Sequence, residues 1–236
     1  MHAELGGVTF LTDPWFRSSM FFSEAANLLP KDLPKLDVVL GGHWAFDHWD
    51  MASLSALPGR ASIRVRVADH SMVRPALKAG FQDVAVMAWG SSETVDGVSI
   101  EAIEEHALMG KRSTNFVLTH GGSRVFIGTE ALSLEAAGAF AERHPPCDVV
   151  LGPVNGVHLL GIPLVASASQ MVRIAKTVGA RTFIPIHDSH KPIWGLQRVR
   201  SSADDLRVLD TTGLEVLVLR VGESHTLDGC SPVSID

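Results

Sequence analysis

Two β-sheets flanked by helices, an α+β fold, is the architecture this sequence predicts, on three observations. Strand-like hydrophobic runs recur along the chain, separated by glycine or polar residues. Helical segments with one apolar face interleave with them. With 46% hydrophobic side chains in 236 residues, the chain can bury a substantial core. No internal repeat, low-complexity tract or linker interrupts it, so a single domain spanning 1–236 is expected.

The elements follow in order. Val8 to Leu11 reads as a strand leading into Asp13-Pro14, and Val38 to Leu40 as a buried strand ending in Gly41-Gly42, where the backbone is free to turn sharply. Met51 to Leu57 suits a helix. Ile63, Val65 and Val67 alternate with Arg64 and Arg66, the period-2 pattern of a half-exposed strand. A helix over Ser71 to Ala79 closes at Gly80. Val84 and Val86, then Val98 and Ile100, repeat the strand pattern. The stretch from Phe116 to Gly128 reads as two strands joined by a Gly121-Gly122 turn. Leu132 to Arg143 forms a helix that ends before Pro145-Pro146, and Met171, Ile174, Ala175 and Val178 share one helix face closed by Gly179. Arg181 to His187 is a strand ending on a histidine, and Leu214 to Val221 a last strong strand.

Composition excludes several function classes. A net charge of -6 with no Lys/Arg run argues against nucleic-acid and anionic-membrane binding, which need concentrated positive charge. Small molecules are the expected partners; association into a homo-oligomer is left open. Cys147 and Cys230 are the only cysteines and form no CxxC pair, so neither a disulfide framework nor a thiolate zinc site is indicated, and a cytoplasmic location is expected. No segment approaches the roughly 20 apolar residues of a membrane span, and no secretory leader is evident. Eleven histidines stand beside an absence of tyrosine. Their number says little; their placement at strand ends says more.

The densest chemistry lies in Leu36-Asp-Val-Val-Leu-Gly-Gly-His43-Trp-Ala-Phe-Asp47-His48-Trp-Asp50. A hydrophobic strand delivers His, Asp and His within six residues at its C-terminal end, where ligand sites of α/β sheets gather. Each residue has a plain structural role to weigh: His43 as a cap after Gly42, His48 in the first turn of the Met51 helix, His106 as a solvated residue among acids, Asp13 as a turn former. The clustering of Asp47 with two imidazoles favours metal ligation. His187, ending a hydrophobic strand after Pro185, favours it too, because a polar ring there is costly to bury without a partner.

The segment resembles the His-x-His-x-Asp-His signature of the metallo-β-lactamase superfamily, especially its lactonase and phospholipase-D-like branch. Matching positions are His43, Asp47, His48 and Asp50, while the second histidine falls on Ala45, which offers no donor. Further landmarks run in the family's order: Leu11-Thr-Asp-Pro-Trp-Phe16, Trp89-Gly90, His106, Phe126-Ile-Gly128, Asp148-Val-Val-Leu-Gly152 and Pro185-Ile-His187. The resemblance implies a four-layer αβ/βα sandwich, with its opening strand shortened or absent because Asp13-Pro14 comes so early.

It also implies the site. One metal position would keep His43 and His106 but lose a ligand at Ala45; the other would keep Asp47, His48 and His187. The family's bridging aspartate falls on Thr129, with Glu130 one residue later as a substitute. Asp13 would orient a ligand histidine. Asp188 and His190 would lie near the site, and Trp44, Phe46 and Trp49 would line it or pack in the core; Lys111-Arg112, after His106, reads either as an exposed basic pair, the commoner case, or as a contact for an anionic substrate group. Two imidazoles and a carboxylate suit Zn²⁺ and equally Mn²⁺ or Fe²⁺. The expected activity is therefore hydrolysis of an ester, lactone or phosphodiester by a metal-bound water, with Asp47 or Glu130 orienting that water. The alternatives are non-hydrolytic chemistry at a single metal, such as an iron-dependent oxidation, a ligand-binding pseudoenzyme, or an inactivating His→Ala change at Ala45. No Gly-x-Ser-x-Gly elbow or reactive cysteine context points to a nucleophilic side chain.

Overall fold

The computed structural model describes residues 1–16, 29–108, 111–130, 133–188, 192, 194–220, 222–226 and 233–234, with 106–108 and 233–234 described by backbone alone. Among the described residues, 1–16, 29–122 and 219–234 form one compact unit and 123–218 a second.

In the first unit, β1 (His2–Leu5) turns through Gly6-Gly7, at φ 59° and 79°, into β2 (Val8–Thr12), its antiparallel partner. From β2 the sheet runs in parallel through β3 (Val38–Gly41), β4 (Arg64–Val67) and β5 (Asp83–Val86). Parallel strands are covered on both faces, which is why β3 reads as an unbroken apolar run and is buried along its whole length. The helices α1 (Met51–Ala56) and α2 (Val73–Ala79) contribute Leu54 and Ala76 to a core with Leu11, Val39, Val65 and Met72. Asp50 caps α1, accepting from the Ser53 amide at 2.8 Å. Asp69 caps a 3₁₀ turn, His70–Met72, so the α-helix itself starts two residues after the Ser71 expected, and it closes at Gly80, φ 99°.

On β4 the alternating pattern misleads at one position. Arg66 is buried, not solvated, because its guanidinium forks onto Glu93 (2.5 and 2.6 Å) and meets Asp83 at 2.8 Å. That charge is paired on β6 (Ser92–Val95), which opens an antiparallel meander with β7 (Val98–Leu108) and β8 (Lys111–His120). A bulge at Glu104/His106 interrupts the β7–β8 register.

In the second unit, β9 (Ser123–Ile127) pairs in parallel with β10 (Val149–Pro153). Between them α3 (Leu134–Ala141) starts on the Ser133 cap and stops short of the expected Arg143, whose amide turns back onto the Phe140 carbonyl ahead of the two prolines. The expected start at Leu132 lies outside the described residues. A small antiparallel hairpin follows, β11 (His158–Leu159) and β12 (Ile162–Pro163). Then α4 (Ala168–Thr177) begins on a Ser167/Gln170 capping box and buries Met171, Ile174 and Ala175. The sheet continues in parallel to β13 (Thr182–Ile186); β14 (Gln197–Arg198) joins the hairpin, and β15 (Glu215–Val216) joins the sheet. The strand expected over Leu214 to Val221 is thus short: its backbone bonding to β13 stops at the Leu217 amide and Phe183 carbonyl.

The chain then returns to the first unit as β16 (Ser224–His225) and β17 (Val233–Ser234). β17 pairs antiparallel with β1, His2 opposite Ser234. The opening strand expected to be shortened or absent is therefore present, held between β2 and a segment from the far end of the chain. No helix among the described residues is long and apolar enough to cross a membrane.

Candidate functional site

The first unit presents its polar side chains where β2 and β3 end. Gly41 terminates β3 for reasons of space, not of turning: its φ is ordinary, and a Cβ there would lie 2.6 Å from the Trp49 ring and 2.7 Å from the Met72 methyl. Trp49 is itself a core residue, its indole N–H donating to the Met72 carbonyl at 3.0 Å. After Gly42 the chain makes one compact turn. The Ala45 carbonyl accepts from the His48 and Trp49 amides at 3.0 and 2.8 Å, which throws His48 back toward Asp13. So His48 precedes α1 and lies outside its first turn, and Asp50 serves as that helix's cap.

Asp13 sits at φ 42°, an unusual backbone state for a residue with a side chain. Its two carboxylate oxygens are divided between the Gly42 amide (2.9 Å) and His48 Nδ1 (3.1 Å). His43 Nδ1 lies 2.5 Å from the Ser113 hydroxyl on β8. The His43 and His48 rings meet edge to face at 5.2 Å, and Trp44 stacks on His43 at 5.3 Å. Both imidazoles are buried, and Asp47 between them is half-buried. Phe46 is exposed, edge-on to Trp15. His106 lies on β7 opposite Ser113 in the register; its side chain is outside the described residues, as is His190.

Lys111 and Arg112 begin β8. The Lys111 ammonium lies 4.3 Å over the Trp44 ring, and the Arg112 guanidinium 5.7 Å over Trp89. Asp69 accepts the Arg112 amide at 3.1 Å; although burial opposes it, hydrogen bonds from the Ser71 and Arg112 amides and the Arg112 charge hold its carboxyl below the usual value.

The second unit presents His187 immediately after β13, at φ 61°. Among the described residues, four other than glycine have positive φ. Asp96 and Leu160 occupy the tight turns of the β6–β7 and β11–β12 hairpins, where that conformation is normal. Asp13 and His187 have no hairpin to account for them; each ends a parallel strand, and such strain concentrates at functional sites. His187 Nδ1 is 2.8 Å from the Asn155 amide nitrogen. Asn155 is 1% exposed, and its Oδ1 is buried without a partner among the described residues. With the amide turned over, Oδ1 accepts from Nδ1–H and Nε2 carries the lone pair, while Nδ2 takes the buried place that Oδ1 held. Thr129 and Glu130 are buried at the end of β9. Asp188 is exposed and accepts the Ala203 amide; its carboxyl is raised by partial burial and by neighbouring Asp204 and Asp205, against the lowering effect of that hydrogen bond. Cys147 is buried and its thiol pushed up to about 12 by burial, which removes it as a nucleophile.

Sequence reasoning passed over Ser113 and Asn155. Ser113 carried no signal. Asn155 had one: it follows the apolar strand β10 at its C-terminal end, the placement that singled out His43 and His187.

The sequence profile of the family described as "Beta-lactamase superfamily domain" matches residues 9–187, well over half of the chain. The chain belongs to this family. Among solved structures it resembles isothiocyanate hydrolase from Delia radicum gut bacteria, at 19% identity over 94% of this chain and 93% of that one, with a TM-score of 0.74. It also resembles Igni18, a metallo hydrolase from the archaeon Ignicoccus hospitalis, at 20% identity over 94% and 91% of the two chains and a TM-score of 0.67. CmlA, a diiron β-hydroxylase from Streptomyces venezuelae, matches at 20% identity over 79% of this chain and 42% of its own, with a TM-score of 0.65. Among curated proteins none matches. The α+β class read from the sequence is the metallo-β-lactamase fold.

Proposed function

We propose that this protein is a metal-dependent hydrolase of small molecules carrying an ester, lactone or phosphodiester, and that it works in the cytoplasm. One observation carries the reading. Three imidazoles, His43, His48 and His187, are each gripped at Nδ1 by a polar side chain of their own unit: Ser113, Asp13 and Asn155. That is the arrangement metal-binding histidines need, since a partner at Nδ1 fixes the ring and turns Nε2 outward as the donor.

In this reading Asp47, His48 and His187 hold one divalent ion, Zn²⁺ in the first instance, with Mn²⁺ or Fe²⁺ as substitutes. His43 and His106 belong to a second position that Ala45 leaves incomplete, with Glu130 in place of the bridging aspartate. Such an ion, when bound, polarises the substrate oxygen and brings the pKa of water toward neutrality. The chain's own residues do the rest. Asp13 and Asn155 keep the imidazoles in register, Asp47 and the buried Glu130 orient the attacking water and accept its proton, and the Trp44 and Phe46 side chains limit access of bulk solvent.

The test is metal content. Protein purified without added metal should hold a stoichiometric divalent ion, and His187→Ala should lose most of it while its circular dichroism is unchanged. An undiminished content in that variant removes the assignment. Activity on an aryl ester or aryl phosphodiester should disappear with a chelator and return with metal; metal-loaded protein inactive on both would mark a binding protein. The likeness to CmlA favours one second reading, oxidation at iron, because two histidines and one carboxylate also suit Fe²⁺. Dioxygen consumption by Fe²⁺-loaded protein in the presence of substrate would replace hydrolysis with that chemistry.

A further inference from the structure

The feature that hydrolysis of a neutral ester leaves unused is the stack of Lys111, Trp44 and His43. The Lys111 ammonium lies 4.3 Å above the indole of Trp44, and that indole stacks on His43 with its ring centre 5.3 Å away. Laid end to end, these separations place the cation within roughly 10 Å of the imidazole, the length of a small substrate rather than of a macromolecular interface.

Among the described residues the Lys111 ammonium rests on the Trp44 ring and makes no ion pair, whereas Arg112 beside it lies over Trp89 and next to the Asp69 carboxylate. Trp44 adds to the same polarity, for its buried indole N–H has no acceptor among the described residues. Resting the ammonium on an aromatic face restricts the rotamer freedom that an exposed lysine would lose on binding, so the ammonium is preorganised. In a chain of net charge -6, a cation held on an indole beside histidines, with no ion pair among the described residues, suits an anion.

We propose that Lys111, braced on Trp44, recognises a carboxylate on the substrate, so that this protein prefers esters or lactones whose acid part carries a second, anionic group several bonds from the reacting carbonyl. This rests on the hydrolase reading above and names its substrate class.

The experiment compares matched aryl esters, 4-nitrophenyl acetate and mono-4-nitrophenyl glutarate, on the metal-loaded protein, together with glutarate binding by calorimetry. Lys111→Met should lower the ratio of kcat/KM for the glutarate ester over that for the acetate at least tenfold, chiefly through KM, and weaken glutarate binding at least tenfold. Lys111→Arg should retain most of both, and raised salt should erode the wild-type preference. An unchanged ratio in Lys111→Met, or glutarate binding that is absent in the wild type or equal in both proteins, overturns the proposal. If neither ester turns over, the hydrolase reading fails by itself. Glutarate binding that still depends on Lys111 would then keep the anion site.

Discussion

Removing the partner of His187 is the most direct way to separate a metal ligand from a merely well-placed histidine. In Asn155→Leu the side chain keeps its branched shape, grows somewhat and loses both polar atoms. The 2.8 Å contact to Nδ1 goes, and with it a buried group that selects the tautomer. The asparagine backbone carbonyl, which accepts the Arg200 and Ser201 amides at 3.1 Å, is untouched, so the local chain path should persist. Loss of such a partner typically weakens metal binding 10- to 100-fold, about 1.4–2.7 kcal/mol. A contact from a buried asparagine to a backbone-strained, half-buried histidine at φ 61° belongs in the upper half of that range. Zinc affinity measured by competition with a chromophoric chelator gives the number directly. Asn155→Asp, which restores an oxygen acceptor, should return affinity to within about threefold of wild type. If Asn155→Leu binds zinc as tightly as the wild type while keeping its native circular dichroism, Asn155 does not position His187, and the argument from the three gripped imidazoles falls with it.

Other outcomes follow from the same structure. Gly41→Ala forces a Cβ to within 2.6 Å of the Trp49 ring and should cost about 2–3 kcal/mol in urea unfolding, the range for overpacked cores, because a buried indole cannot step aside. Ala45→His should raise bound metal toward two per chain in elemental analysis; an unchanged stoichiometry would show that His43 and His106 do not serve a common ion. Asp37 is resisted by burial but lowered overall by hydrogen bonds from the Thr9 amide and hydroxyl and by the charge of Lys35, so its folded-state pKa lies below the unfolded one. The stability it contributes is therefore complete above the unfolded value of 3.8 and is lost as pH falls through the lower, folded one. Asp37→Asn should be less stable than wild type at neutral pH, and thermal melts should show the gap closing below about pH 4.

What the sequence by itself determined is local. Apolar runs marked β3 and β13, the shared face of Met171, Ile174 and Ala175 marked α4, glycines marked where α2 and α4 close, and the spacing of His43, Asp47 and His48 placed donors at a strand's end. These features depend on neighbours a few residues away, which a linear pattern displays. Tertiary structure alone decided what those donors lean on. Asp13 reaches His48 across 35 positions, Asn155 reaches His187 across 32, and Ser113 reaches His43 across 70. The same holds for Arg66, whose outward-facing pattern is overruled by Glu93 and Asp83, for Gly41, needed for the bulk of Trp49, and for β1, held by a strand some 230 residues later. A side chain's hydrogen-bonding partner is chosen by which strands lie side by side, and that is settled by burial of the whole core, to which each residue contributes too little for its position in the sequence to announce the outcome.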